Sequence, residues 1–266
     1  MDTSGANQHV GEIDAAYCRA TLYGALALGF RPPNKTTLAR IIEPGNATVL
    51  TDAATFLDET RKWALVPAIE NVARAGQADI DILDSSYRVL FGHTARGAVP
   101  PYETEYGNEA LFQQPQELGD LMGFYHAFGL MVRGSEHERA DHISCECEFL
   151  SFLAMKEAYA LEHRDAAMLD QTIKAEKLFL RDHLGRFLPT FARQLIRENA
   201  AGFYAQLAHL CLHFVSQETE RLAVRLGAVN LPLRPAEDDR VPMSCGNGAE
   251  CATLPGACAP EGADSV

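Results

Sequence analysis

Apolar residues recur at three- and four-residue steps through most of the first 226 positions, and strict alternation is nearly absent, so the chain reads as a succession of helices. Ile13, Tyr17, Ala20, Gly24, Ala27 and Leu28 fall on one face, and the run stops at Arg31-Pro32-Pro33, which predicts a helix of about five turns. The same spacing predicts helix over 53–75, in one piece or two, and over 80–91. Gly92, Gly97, Pro100, Pro101 and Gly107 put too much backbone punctuation into 92–108 for a regular element. Helix is expected again over 116–132, ending at a hinge around Arg133-Gly134-Ser135, and then over 138–163, 166–184 and 200–226. The pattern implies an all-α chain with two helical subdomains, 1–134 and 135–227. Residues 228–266 carry five prolines and four glycines among few apolar anchors and read as a mostly disordered tail.

Composition narrows the partners. With 47% hydrophobic and 22% charged residues, the 266-residue chain belongs among soluble globular proteins. Its net charge of −13 repels a nucleic-acid backbone and suits a basic peptide. No apolar run reaches the roughly 18 residues of a membrane span. Met1 to Glu12 is polar and acidic, unlike a secretory signal, so a cytoplasmic location is expected. Of seven cysteines, four are scattered through helical segments and suit reduced thiols. Cys245, Cys251 and Cys258 are spaced C-x5-C-x6-C in the tail; three thiolates could take Zn or an iron–sulfur cluster with a fourth ligand from elsewhere, or stay reduced in a flexible segment.

Most signatures of chemistry fail. Gly24 to Gly29 has the glycine spacing of a phosphate-binding loop, but Phe30 and Arg31 stand where Lys and Ser or Thr must be, and small residues for close helix packing explain it better. No glutamate lies three residues before any histidine, which removes a di-iron bundle. His209 and His213 lie one turn apart and could serve a metal-dependent helical enzyme if an acid joined them from another helix. The densest polar cluster is 136–148, where Glu138, Asp141, His142 and Cys145 are expected to share a helical face. Adjacent helical positions point about 100° apart, so Asp141 and His142 cannot form an orienting pair, and binding or bracing is favoured over catalysis.

Four ordered blocks then resemble the TorD/DmsD/NarJ family of cytoplasmic chaperones for molybdenum enzymes. Pro100-Pro101-Tyr102-Glu103-Thr104-Glu105-Tyr106 is similar to the family's P-P-Y-E-S-x-Y loop, and Tyr125 with Gly129-Leu130 to the helix after it. Glu138-Arg139-Ala140-Asp141-His142-Ile143, Glu146, Glu148-Phe149 and Lys156-Glu157 resemble the E-R-P-D-H-L, E-L-E-F and K-E run. The fourth block runs from Phe179-Leu180 through His183-Leu184 and Phe187-Leu188-Pro189 to Phe191, then Phe203-Tyr204. Ala140, Thr104, Phe187, Cys145 and Cys147 depart from the usual residues, and the tail lies outside the likeness.

The resemblance implies an all-helical bundle with its two parts meeting near Gly134, and a chaperone rather than an enzyme. Its implied partners are the catalytic subunit of a dimethyl sulfoxide reductase-class enzyme and that subunit's twin-arginine leader, held until molybdopterin guanine dinucleotide is inserted and export is timely. The family's Asp-His position maps to Asp141 and His142. Glu138 is expected beside them, with Tyr102, Glu103 and Tyr125 contributing to the same peptide site. The chaperone itself is expected to need no cofactor, and to be a monomer or a dimer that exchanges helices through the hinge. The competing reading is an acidic assembly protein that does not recognise the leader.

Overall fold

A computed structural model describes residues 3–92, 96–108, 113–131 and 139–235. The chain divides into two compact units, Met1–Arg234 and Pro235–Val266, and nearly all described residues belong to the first. Among them the regular structure is helical: α1 (Thr3–Gly29), α2 (Lys35–Ile42), α3 (Pro44–Leu57), α4 (Leu65–Ala75), α5 (Ile80–Phe91), α6 (Gln113–Ala127), α7 (Ile143–Glu162), α8 (Ala166–Asp182), α9 (Leu184–Glu198) and α10 (Phe203–Arg221). One 3-10 turn, Glu103–Glu105, interrupts the loop between α5 and α6.

Local chemistry sets the helix ends. After the Pro32-Pro33 break, the Asn34 side chain accepts from Thr37 N at 2.9 Å and starts α2, while Pro44 occupies the first turn of α3. The buried Asp58 carboxylate accepts from the backbone N–H groups of Trp63 and Leu65, so it holds the turn into α4. Asp165 caps α8 by accepting from Met168 N. Pro189 lies inside α9, where it cannot donate to Gly185. That freed carbonyl accepts from Gly227 N instead, at 2.9 Å. A Cβ on Gly227 would stand 1.9 Å from Arg186 O, so only glycine brings the backbones this close.

Helix α1 lies at the centre, packed on α7 and α3, while α10 packs on α9 and α4. Gly29 belongs to this packing: a Cβ there would meet Leu207 of α10 at 2.7 Å, in line with the small-residue reading of 24–29. Tyr23, Phe30, Phe179, Phe187, Phe191, Tyr204 and Phe214 are almost wholly buried, and each large apolar side chain of this kind contributes about 1.5–3 kcal/mol.

Three expectations change. The division at Gly134 does not separate two cores, because Leu26, Phe91, Leu153, Phe191 and Phe214 belong to one continuous cluster; the α1–α7 packing joins the halves, and the hinge residues themselves lie outside the described residues. The tail expected from 228 starts later. Ala228 O accepts from Thr190 Oγ1, Leu231 N donates back to that hydroxyl, and Leu233 pairs with Tyr106, so 228–234 runs along α9 and the loop. Helix α9 itself was hidden by its proline. The remaining tail, including Cys245, Cys251 and Cys258, lies outside the described residues.

Candidate functional site

The loop of 99–107 is the hub around which the resemblance-bearing residues gather. Two backbone bonds tie it to the start of α7: Glu103 N donates to Asp141 O and Ile143 N to Pro101 O, both at 2.9 Å, with Tyr102 and His142 paired antiparallel between them. Irregular backbone buried in this way needs side-chain partners for its polar groups. Asp141 supplies them. Its carboxylate, fully buried, accepts from Thr104 N at 3.3 Å, Thr104 Oγ1 at 2.7 Å and Arg139 at 2.8–3.0 Å. Thr104 thus keeps the hydroxyl of the serine it replaces.

His142 does not sit on the helical face assigned to it. It is the N-cap of α7, with Nδ1 accepting from Ser144 N at 3.1 Å. Burial, reinforced by Arg31 and Arg139, pushes its pKa down to about 3, so the imidazole is neutral. Because α7 begins at Ile143, Asp141 precedes the helix, and the shared face with Cys145 is absent. Glu138 lies outside the described residues. Tyr125 is also internal: its hydroxyl donates to Ala140 O at 2.9 Å, and its ring packs on Phe149 at 5.0 Å. Tyr102 is half-buried, edge-on to His142 and under the Arg139 guanidinium at 4.6 Å.

Glu103 has partners that sequence spacing did not reveal. The Arg186 guanidinium donates to its Oε1 at 2.9 Å, and His183 Nδ1 lies 3.0 Å from its Oε2. Arg186 and His183 stand where α8 turns into α9. Arg234 completes the hub: it donates to Thr104 O at 2.6 Å and to both carboxylate oxygens of Glu117 on α6 at 2.8–3.0 Å. These bonds close the loop from three sides.

On one side of the hub lies a cleft of about 630 Å³ between α6 and the α8–α9 turn. Glu103, Glu117, Asp120 and Asp182 put four carboxyl groups on its walls, of which Glu103 pairs with Arg186, Glu117 with Arg234 and Asp182 with Arg181, and Phe124 and Ala127 give it an apolar patch. Carboxylates in such a setting take a guanidinium in bidentate pairs. Asp141, His142 and Tyr125, by contrast, have no exposed surface to offer a peptide here; they hold the cleft's wall. His209 and His213 face each other edge-on along α10 at 6.1 Å, and among the described residues no group of three or more potential ligands is placed to hold a metal ion.

Residues 50–193, just over half of the chain, match the family model described as "Nitrate reductase delta subunit". The chaperone protein TorD of Vibrio cholerae is 28% identical over 75% of this chain and 90% of its own length. The selenate reductase assembly chaperone of Thauera selenatis is 27% identical over 79% of this chain and 92% of its own length. A perchlorate reductase assembly chaperone from Dechloromonas aromatica is 23% identical over 86% of this chain and all of its own.

Proposed function

Because the chain belongs to the nitrate reductase delta subunit family, whose TorD/NarJ-type members are redox-enzyme maturation chaperones, we propose that it binds the twin-arginine leader of a molybdopterin-containing catalytic subunit in the α6–α9 cleft. It is a chaperone and not a catalyst. The client is held in its apo form, with the leader masked, until molybdopterin guanine dinucleotide has been inserted. The chemistry of the cofactor belongs to the client.

The observation that carries this reading is the acidic lining of the cleft, four carboxyl groups to the three arginines that pair with Glu103, Glu117 and Asp182, beside an apolar patch. A leader presents two guanidinium groups followed by an apolar run. The carboxylates suit the first, while Phe124 and Ala127 suit the second. Asp141, His142, Tyr102 and Tyr125 act as positioning residues: they fix the loop that presents Glu103.

Calorimetric titration of a synthetic twin-arginine leader into the full chain tests it. Binding should weaken at high salt and fall at least tenfold when both arginines become glutamine, because exposed ion pairs are screened and the bidentate bonds are lost. Equal affinity for the two peptides would discard the cleft as the leader site.

A further inference from the structure

His183 stands where α8 turns into α9; it is only 4% exposed, and it lines the cleft. Its ring is held from three directions. Phe124 of α6 meets it edge-on at 5.2 Å, Phe179 of α8 lies tilted against it at 5.0 Å, and Nδ1 is 3.0 Å from Glu103 Oε2. The Glu103 carboxylate accepts from Arg186 at its other oxygen, so the proton of the 3.0 Å contact sits on Nδ1. In the neutral ring, Nε2 is then a bare acceptor. Nε2 has no hydrogen-bond partner among the described residues, and it is not sealed from solvent as the unpartnered Nδ1 of His213 is.

An imidazole held on a carboxylate with its second nitrogen open to a cleft could serve a nucleophile, a metal ion or a ligand. Among the described residues lining the cleft none carries a hydroxyl or a thiol, and no group of three potential metal ligands is assembled, so a ligand remains. The charges around the ring say which kind. Three of the four carboxyl groups in the cleft are engaged, Glu103 by Arg186, Glu117 by Arg234 and Asp182 by Arg181. Asp120 is exposed and has no ion pair among the described residues. It lies one turn before Phe124 on α6, on the same face, and Phe124 touches His183. The cleft therefore offers a newcomer one exposed carboxylate and one oriented, sheltered acceptor. A guanidinium fits both, because it carries a full charge and N–H donors in fixed directions.

We propose that His183 is the residue that orients an arginine in the cleft: its Nε2 accepts an N–H from one client guanidinium, whose charge Asp120 balances. The inference rests on the leader-binding reading above and adds to it a named contact. Glu103 is a positioning residue here, since it keeps the proton on Nδ1 and so the lone pair on Nε2. Asp120 supplies attraction that salt screens. His183 supplies direction, through a charge-assisted hydrogen bond formed between two phenylalanine rings and away from bulk water. No proton is transferred, because the guanidinium brings its own N–H.

A cycle across chaperone and leader tests the contact. Calorimetry measures wild type and His183→Phe against a synthetic twin-arginine leader and against the same leader with both arginines changed to glutamine. His183→Phe keeps a ring against Phe124 and Phe179 but has no acceptor. It should bind the twin-arginine leader about tenfold or more weakly, with less than about a twofold change for the glutamine leader. Equal loss for both leaders would mean that His183 only braces the fold, and an unchanged affinity would also overturn the assignment. Nitrogen-15 NMR of the histidine-labelled full chain needs no variant to fold. The His183 signals, identified by their contacts with the Phe124 and Phe179 rings, should show a proton on Nδ1. Nε2 should then move toward the hydrogen-bonded range with the twin-arginine leader and stay in place with the glutamine leader. A proton on Nε2, or an Nε2 signal that the twin-arginine leader leaves unmoved, sinks the proposal. If wild type prefers the twin-arginine leader while His183 stays silent, only this inference falls; if wild type binds no leader, the leader reading falls and takes this inference with it.

Discussion

Arg19 of α1, Glu157 of α7, Glu176 of α8 and Glu218 and Arg221 of α10 form one cluster of buried charge inside the helices; Glu103, Asp141, Arg139, Arg186 and Arg234 form another among loops and helix ends. The ingredients match, and the work differs. In the helical cluster the charged side chains stand on helices and bond one another: Arg19 meets Glu157 at 2.5 Å, and Arg221 meets Glu176 and Glu218 at 2.8 Å. In the loop cluster the side chains also satisfy backbone, as Asp141 does for Thr104 N and Arg234 for Thr104 O. The first cluster locks helices to each other. The second gives an irregular loop one conformation and borders an acidic cleft, so changes there should reach partner binding as well as stability.

The largest effect should come from breaking the helical cluster. Arg19→Met leaves Glu157 and Glu218 buried without that cation and should cost about 3–5 kcal/mol in urea denaturation, with little change in leader affinity among molecules still folded. Next is the loop cluster. Asp141→Ala strands Thr104 N and Arg139 and should cost about 2–3 kcal/mol. It should also speed amide exchange over 101–106 and weaken the leader severalfold. Equal effects of the two substitutions on leader binding would erase the distinction drawn between the clusters.

Acidity sharpens the comparison. Three carboxyl groups of the helical cluster share two arginines, and burial raises Glu176 to about 7, above its ordinary value of 4.5. The folded state therefore holds this proton more tightly than the unfolded chain does, and the associated stability is present at low pH and lost as pH rises from about 4.5 through 7. Glu176→Gln should flatten that part of the stability profile and gain about 2 kcal/mol at pH 8, measured by denaturation across the range. A parallel profile in the variant would mean that another group carries the slope. Smallest of all should be Asp120→Asn in the cleft: a loss of about twofold to fivefold in leader affinity at low salt that vanishes at high salt.

Much of the helical scaffold was legible from spacing alone. The faces of α1, α4, α5, α8 and α10 follow from apolar residues a turn apart, and Pro32-Pro33 and the Gly/Pro-rich 92–108 mark real interruptions. Two helices escaped. The short α2 rests on the Asn34 cap, and α9 contains a proline whose cost is met by Gly227, 38 residues beyond Pro189 in chain order. The start of α7 was set too early for the same kind of reason. Asp141 and His142 are polar residues ahead of an apolar run and fit a first helical turn as well as a cap; what separates the cases is that Asp141 turns back to Thr104.

The residues of the hub were named by their resemblance to a motif, and their roles came from partners far along the chain. Glu103 meets His183 across 80 residues, Thr104 meets Asp141 across 37, and Arg234 reaches the loop across 130. Arg186 and Arg234 had no sequence signal of their own beyond being arginines. The sequence by itself determined the all-helical class, the acidic character and the family, because helical periodicity and ordered motifs are properties of neighbours in the chain. Only the tertiary structure decided that Asp141 and His142 are internal supports, that Glu103 lines a cleft and that Glu146 is buried with no hydrogen-bond partner among the described residues. Burial and ionic pairing depend on which distant segments the packed helices bring together, and no local pattern encodes that.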